Sequence, residues 1–85
     1  MISPMQVRMA RAALGWGVRE LGMKAGISAN TVSRFENGGG AMVETLIQIQ
    51  AALEKAGVVF ISADQQGGPG VRVRDVPQSK GKRRR

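Results

Sequence analysis

The chain has 85 residues, enough for one small domain, and its 42% hydrophobic content is sufficient for a core. It contains neither cysteine nor histidine, which excludes a disulfide framework, a thiolate metal site and the commonest zinc ligand, so no cofactor or metal is expected. The net charge of +7 is uneven: residues 1–57 carry six basic and four acidic side chains, residues 58–85 seven basic and two acidic, an excess that points to a polyanionic partner. No run approaches the roughly 18 apolar residues of a membrane span, and the first residues lack a signal-peptide core. A cytoplasmic protein with no membrane association is the expectation. The six carboxylates show no paired arrangement on one helix face, which argues against an enzyme.

The first helix announces itself through Ser3-Pro4-Met5-Gln6, where Ser3 can cap, Pro4 suits the first helical position and Gln6 completes a capping box. Val7, Ala10 and Leu14 then recur at helical spacing, with Arg8 and Arg11 on the other side, and Gly15 ends a helix over 4–14. Trp16 reads as a wedge between helices rather than a stacking platform. Gly17 opens a short second helix over 18–25, with Val18, Leu21 and Ala25 inward. A glycine at 22 costs about 1 kcal/mol there relative to alanine, which makes sense where another backbone passes close by. Gly26 is placed for a left-handed turn, Ile27 for an apolar plug and Ser28 for the cap of a third helix over 29–37 that buries Val32 and Phe35.

Gly38-Gly39-Gly40 stops the third helix and reads as a flexible connection. A fourth helix follows over 43–56, striped by Leu46, Ile49 and Leu53. Beyond Gly57 the pattern changes to a β-hairpin, with strands near 58–62 and 71–74 and a turn at Gly67-Gly68-Pro69-Gly70. Residues 77–85 hold no apolar content to bury and are expected to be disordered. The organisation predicted is mainly α: a four-helix domain over 1–57, a hairpin over 58–76 and a basic tail over 77–85.

The stretch from Leu21 to Gly38 resembles the helix-turn-helix of phage repressor and Cro-like regulators. The resemblance is carried by Leu21, by Ala25-Gly26-Ile27-Ser28 across the turn, by Thr31-Val32-Ser33 and by Glu36-Asn37-Gly38, and it covers roughly residues 5–57. It implies a four-helix repressor-like fold and double-stranded DNA as the partner, read in the major groove by the third helix. With Val32 and Phe35 inward, the base-reading set is Ala29, Asn30, Ser33 and Arg34: asparagine can pair with adenine, arginine with guanine, and alanine can meet a thymine methyl. Ser28 and Asn37 are placed by the resemblance for phosphate contacts, and Arg19 and Lys24 join them by charge. Where the family has a capping Ser or Thr and then a phosphate-binding Gln, this chain has Gly17 and Val18. Glu36 would repel phosphate and is assigned an intramolecular role, a salt bridge to a nearby arginine. Lys82, Arg83, Arg84 and Arg85 would add non-specific attraction to DNA.

The first strand is apolar on both faces, with Val58 and Phe60 on one side and Val59 and Ile61 on the other. One face can cover the helices, and the other suits a homodimer built through residues 58–62, since operators for such motifs are commonly two-fold symmetric. The competing reading has the hairpin simply completing the monomer core. Operator binding by a repressor is the leading function, because the length leaves little room for a sensor. The alternative is an antitoxin that engages a toxin-like protein and binds its own promoter.

Overall fold

The structure, a computed structural model, describes residues 1–74. The elements run α1 (Pro4–Leu14), α2 (Val18–Ala25), α3 (Ala29–Glu36), α4 (Val43–Lys55), β1 (Val58–Ile61) and β2 (Gly70–Val73). The fold is four helices followed by a short antiparallel hairpin, as the sequence predicts. The basic residues Lys82, Arg83, Arg84 and Arg85, with the rest of the expected tail, lie outside the described residues.

Local signals set the helix ends. The Ser3 hydroxyl accepts the Gln6 backbone N–H at 3.1 Å while the Gln6 side chain accepts the Ser3 N–H at 2.9 Å, the reciprocal box that satisfies two otherwise orphaned donors. Ile2, just before the cap, joins Val7 in the core, in the positions of a hydrophobic staple. Gly15 and Gly26 close α1 and α2 in left-handed conformations, with φ of 71° and 76°. Both the core and the helix crossings follow from the inward stripes. Val7 and Ala10 of α1, Leu21 and Ala25 of α2, Val32 and Phe35 of α3, and Leu46, Ile49 and Leu53 of α4 form one buried cluster with Ile2 and Val58. Each large aliphatic side chain buried there contributes on the order of 1.5–3 kcal/mol.

The hairpin differs from expectation in its turn. Strand register pairs Val58 with Val73 and Ile61 with Gly70, so Gly70 is a strand residue and the reversal sits earlier, at Asp64–Gly67. Asp64 carboxylate oxygen Oδ1 accepts the Gln66 N–H at 2.8 Å, and Asp64 N–H donates to the Gly67 carbonyl at 2.9 Å. An aspartate that mimics a backbone turn, followed by a glycine at the fourth position, outcompetes the Gly67-Gly68-Pro69-Gly70 run. Past β2, the Arg74 N–H continues the ladder to the Gly57 carbonyl at 2.7 Å. Val58, Phe60 and Val71 face the helices, whereas Val59 is exposed.

Gln6 joins the two halves of the fold. Its side chain is buried, and Nε2 donates to the carbonyls of Ile61 at 3.2 Å and Gly70 at 3.0 Å, the pair that closes the hairpin. With Oε1 on Ser3 and both amide hydrogens on strand carbonyls, one side chain caps α1 and docks the hairpin upon it. Gln6→Ala would break all three bonds, and the expected loss is about 1–3 kcal/mol. Amide exchange should rise first across 58–61 and 70–73. Faster exchange spread evenly over all helices would show that Gln6 acts only as a cap.

Candidate nucleic-acid interface

The recognition unit begins with the approach of α2 to α3. Gly22 is buried, and a Cβ on it would lie 2.8 Å from the Ile27 carbonyl oxygen, 3.2 Å from the Ala29 nitrogen and 3.3 Å from the Ser28 carbonyl carbon. The glycine therefore stands where the sequence pattern asked for a close backbone. Ile27 N–H donates to the Gly22 carbonyl at 2.9 Å and finishes the turn. Ser28 then caps α3, its hydroxyl accepting the Thr31 N–H at 3.1 Å and lying 2.8 Å from the Thr31 hydroxyl. Thr31, part of the motif on which the resemblance rests, completes this cap.

Val32 and Phe35 anchor α3 in the core, which turns the opposite face outward. Asn30 and Arg34 are exposed on that face, one helical turn apart, while Ala29 and Ser33 are half-buried. Ser28 and Asn37 are exposed at the two ends of α3, and Arg19 is exposed in the first turn of α2. Val18 packs against the core, so α2 starts on an apolar anchor that has no hydrogen to donate. Lys24 takes a different place. Its ammonium lies 5.6 Å from the centre of the Trp16 ring, beside a depression of about 310 Å³ lined with Trp16, Ala52, Lys55 and Ala56. Trp16 itself packs half-buried against the core, as a wedge should.

Two arginines that sequence reasoning left without a task fix the far end of α3. Arg11 holds the Glu36 carboxylate with two parallel bonds, Nε to Oε2 at 2.7 Å and Nη2 to Oε1 at 2.8 Å, and its Nη1 donates to the Trp16 carbonyl at 3.0 Å. Arg8 donates to the backbone carbonyl of Glu36. Glu36 is only 5% exposed, so its charge is neutralised inside the protein rather than presented to a phosphate. The hydrogen bonds that Arg11 donates to the Glu36 carboxylate raise its guanidinium above its ordinary value. A signal for this clamp existed in the i, i+3 spacing of Arg8 and Arg11. Their partner 25 residues away could be named only as an arginine-seeking glutamate.

Among the described residues, no three or more His, Cys, Asp or Glu side chains come together as a metal-binding group, and no helix is long and apolar enough to cross a membrane. No curated protein matches the chain. The helix-turn-helix family is matched over residues 7–58, the span that holds all four helices from Val7 of α1 onward. With the Gly22 crossing, the Gly26 turn and the outward face of α3 in place, the chain belongs to the helix-turn-helix family of Cro and phage-repressor type, a family of DNA-binding transcriptional regulators.

Proposed function

We propose that the chain is a sequence-specific repressor that lays α3 in the major groove of operator DNA. The observation that carries this reading is the division of α3 into a buried face, Val32 and Phe35, and an exposed one bearing Asn30 and Arg34. Amide and guanidinium groups one turn apart can each read a base edge bidentately, while Ala29 and Ser33 make closer, smaller contacts. Ser28, Asn37 and Arg19 set the helix on the backbone by phosphate contacts. Lys24 is a phosphate candidate by charge whose ammonium lies over the Trp16 ring. No catalysis is assigned to the chain.

Selection of bound fragments from random DNA tests the reading, with a palindromic motif as the expected result and unselected sequence as the result that sinks it. Arg34→Ala should relax preference at one operator position by about 1–3 kcal/mol. Equal losses on operator and random DNA would instead assign Arg34 to the backbone. Removing residues 80–85 deletes five positive charges. Binding to all DNA should weaken and its salt dependence flatten, whereas an unchanged salt slope would remove the tail from the interface.

A homodimer through β1 belongs to the same proposal. Val58 and Phe60 are spent on the monomer core, as the simpler alternative for the hairpin requires, but Val59 remains 37% exposed on the other face with Ile61 half-buried beside it. A monomer mass by light scattering at micromolar concentration, with and without operator, would rule the dimer out. Co-purification of a stoichiometric second protein would favour the antitoxin reading.

A further inference from the structure

The three consecutive glycines after α3 stand in three different settings. Gly38 has φ of 91°, the left-handed conformation that reverses the chain, so that its N–H donates to the Phe35 carbonyl at 3.0 Å and the Gly39 N–H to the Arg34 carbonyl at 2.8 Å. Gly39 is not among the positive-φ glycines, so its backbone accepts any residue. Its side-chain space does not. A Cβ on Gly39 would lie 2.6 Å from Arg34 Cγ, 3.5 Å from Arg34 Cδ and 3.1 Å from the Arg34 carbonyl oxygen. A Cβ on Gly40 would meet nothing within 4 Å.

In this kind of helix ending, the residue at position 39 ordinarily sets a side chain against the residue at position 34. Here the contact is made from the other partner alone: the aliphatic stem of Arg34 lies across the bare backbone of Gly39. We propose that Gly39 is a positioning residue for Arg34, a flat bed that fixes the direction in which the guanidinium leaves the recognition helix. Arg34 is otherwise exposed, and an unrestrained arginine loses rotamer freedom when it docks on a base. A stem already laid down loses less, and its fork arrives in one orientation, which is what bidentate reading of a base edge demands. A methyl group at position 39 lifts the stem and re-aims the fork. The proposal rests on Arg34 as a base-reading residue.

The test is a double-mutant cycle on Gly39→Ala and Arg34→Ala, read as the ratio of affinity for the selected operator to affinity for the operator changed at the Arg34 position. Gly39→Ala should cut that ratio about tenfold in the parent protein. In the Arg34→Ala background, where Cγ is gone, it should leave the ratio unchanged. Gly40→Ala, in open space, should behave as the parent. Thermal unfolding accompanies each variant. Should Gly39→Ala fold poorly, the double variant should regain stability because the clashing Cγ has been removed. An unaltered ratio in Gly39→Ala, or the same loss with and without the Arg34 side chain, overturns the positioning role while leaving Arg34 as a reader. An Arg34→Ala protein that keeps the full ratio overturns the base-reading role itself, and the proposal with it.

Discussion

Arg11→Ala is expected to destabilise the protein by about 3–5 kcal/mol, a large part of the 5–15 kcal/mol typical of a small domain. The size of the effect comes from what is left behind. Glu36 is 5% exposed and Arg11 is 22% exposed, so deleting the arginine strands the more deeply buried charge. The same deletion frees the Trp16 carbonyl that Nη1 holds at 3.0 Å, loosening the junction between α1 and α2. Glu36→Ala should cost less, about 2–3 kcal/mol, because the remaining arginine is nearer to solvent and can swing out. Denaturant unfolding of the two variants measures the order, and a larger loss in Glu36→Ala would show that the charge left on Arg11 governs instead.

Replacing both partners separates charge from shape. Arg11→Met with Glu36→Leu fills similar volume without ions and should return to within about 1–2 kcal/mol of the parent, since a buried pair does little better than a well-packed apolar substitute. The part of the pair's contribution that titrates with Arg11 barely depends on pH in the working range. A guanidinium raised in the folded state stabilises fully below its ordinary value and loses that stabilisation only as pH climbs through the raised one.

These contacts mark where the sequence stops being legible. The helix ends were readable because Ser3, Gly15, Gly26 and Ser28 act on neighbours within one turn, through φ preference or a cap. The outward face of α3 follows from Val32 and Phe35 lying inward. Glu36 could be assigned an arginine partner, since a carboxylate beside DNA needs neutralising, but not the identity of Arg11. Gln6 shows the limit more sharply. Its capping box was visible in four residues, whereas its bonds to Ile61 and Gly70 span 55 and 64 positions and depend on a docking geometry that no local pattern encodes. In the sequence the glycines and proline at 67–70 are the louder turn signal, while the Asp64 side chain that sets the turn acts through one hydrogen bond to Gln66. Charge alone places Lys24 among the phosphate candidates, and only the position of Trp16 shows where its ammonium rests.

The second large effect is expected at Gly22. Alanine there gains about 1 kcal/mol of helix propensity, yet its Cβ would stand 2.8 Å from a backbone oxygen of the turn. Backbone cannot rotate away as a side chain does, so α2 and α3 must separate or the turn must deform. Overpacking of this kind costs about 1–3 kcal/mol and sometimes more. At 2.8 Å from a backbone oxygen the added Cβ is closer than such atoms stand in folded proteins, so the cost falls at the upper end of that range. Set against the gain in propensity, the net loss for Gly22→Ala is about 2 kcal/mol, and that for Gly22→Val is higher. Operator binding should suffer beyond this, because any opening of the crossing rotates α3 relative to Arg19 and the phosphates it would meet. Affinity measured at a temperature where the variant is fully folded isolates that second effect. Gly17→Ser supplies the opposite sign: the cap of α2 has no side-chain hydrogen bond and open space around it, so a hydroxyl there should stabilise by a few tenths of a kcal/mol. If Gly22→Ala instead proved as benign as Gly17→Ser, the α2–α3 approach would be looser in solution than the 2.8 Å distance requires, and Gly22 would not be the residue that sets the crossing.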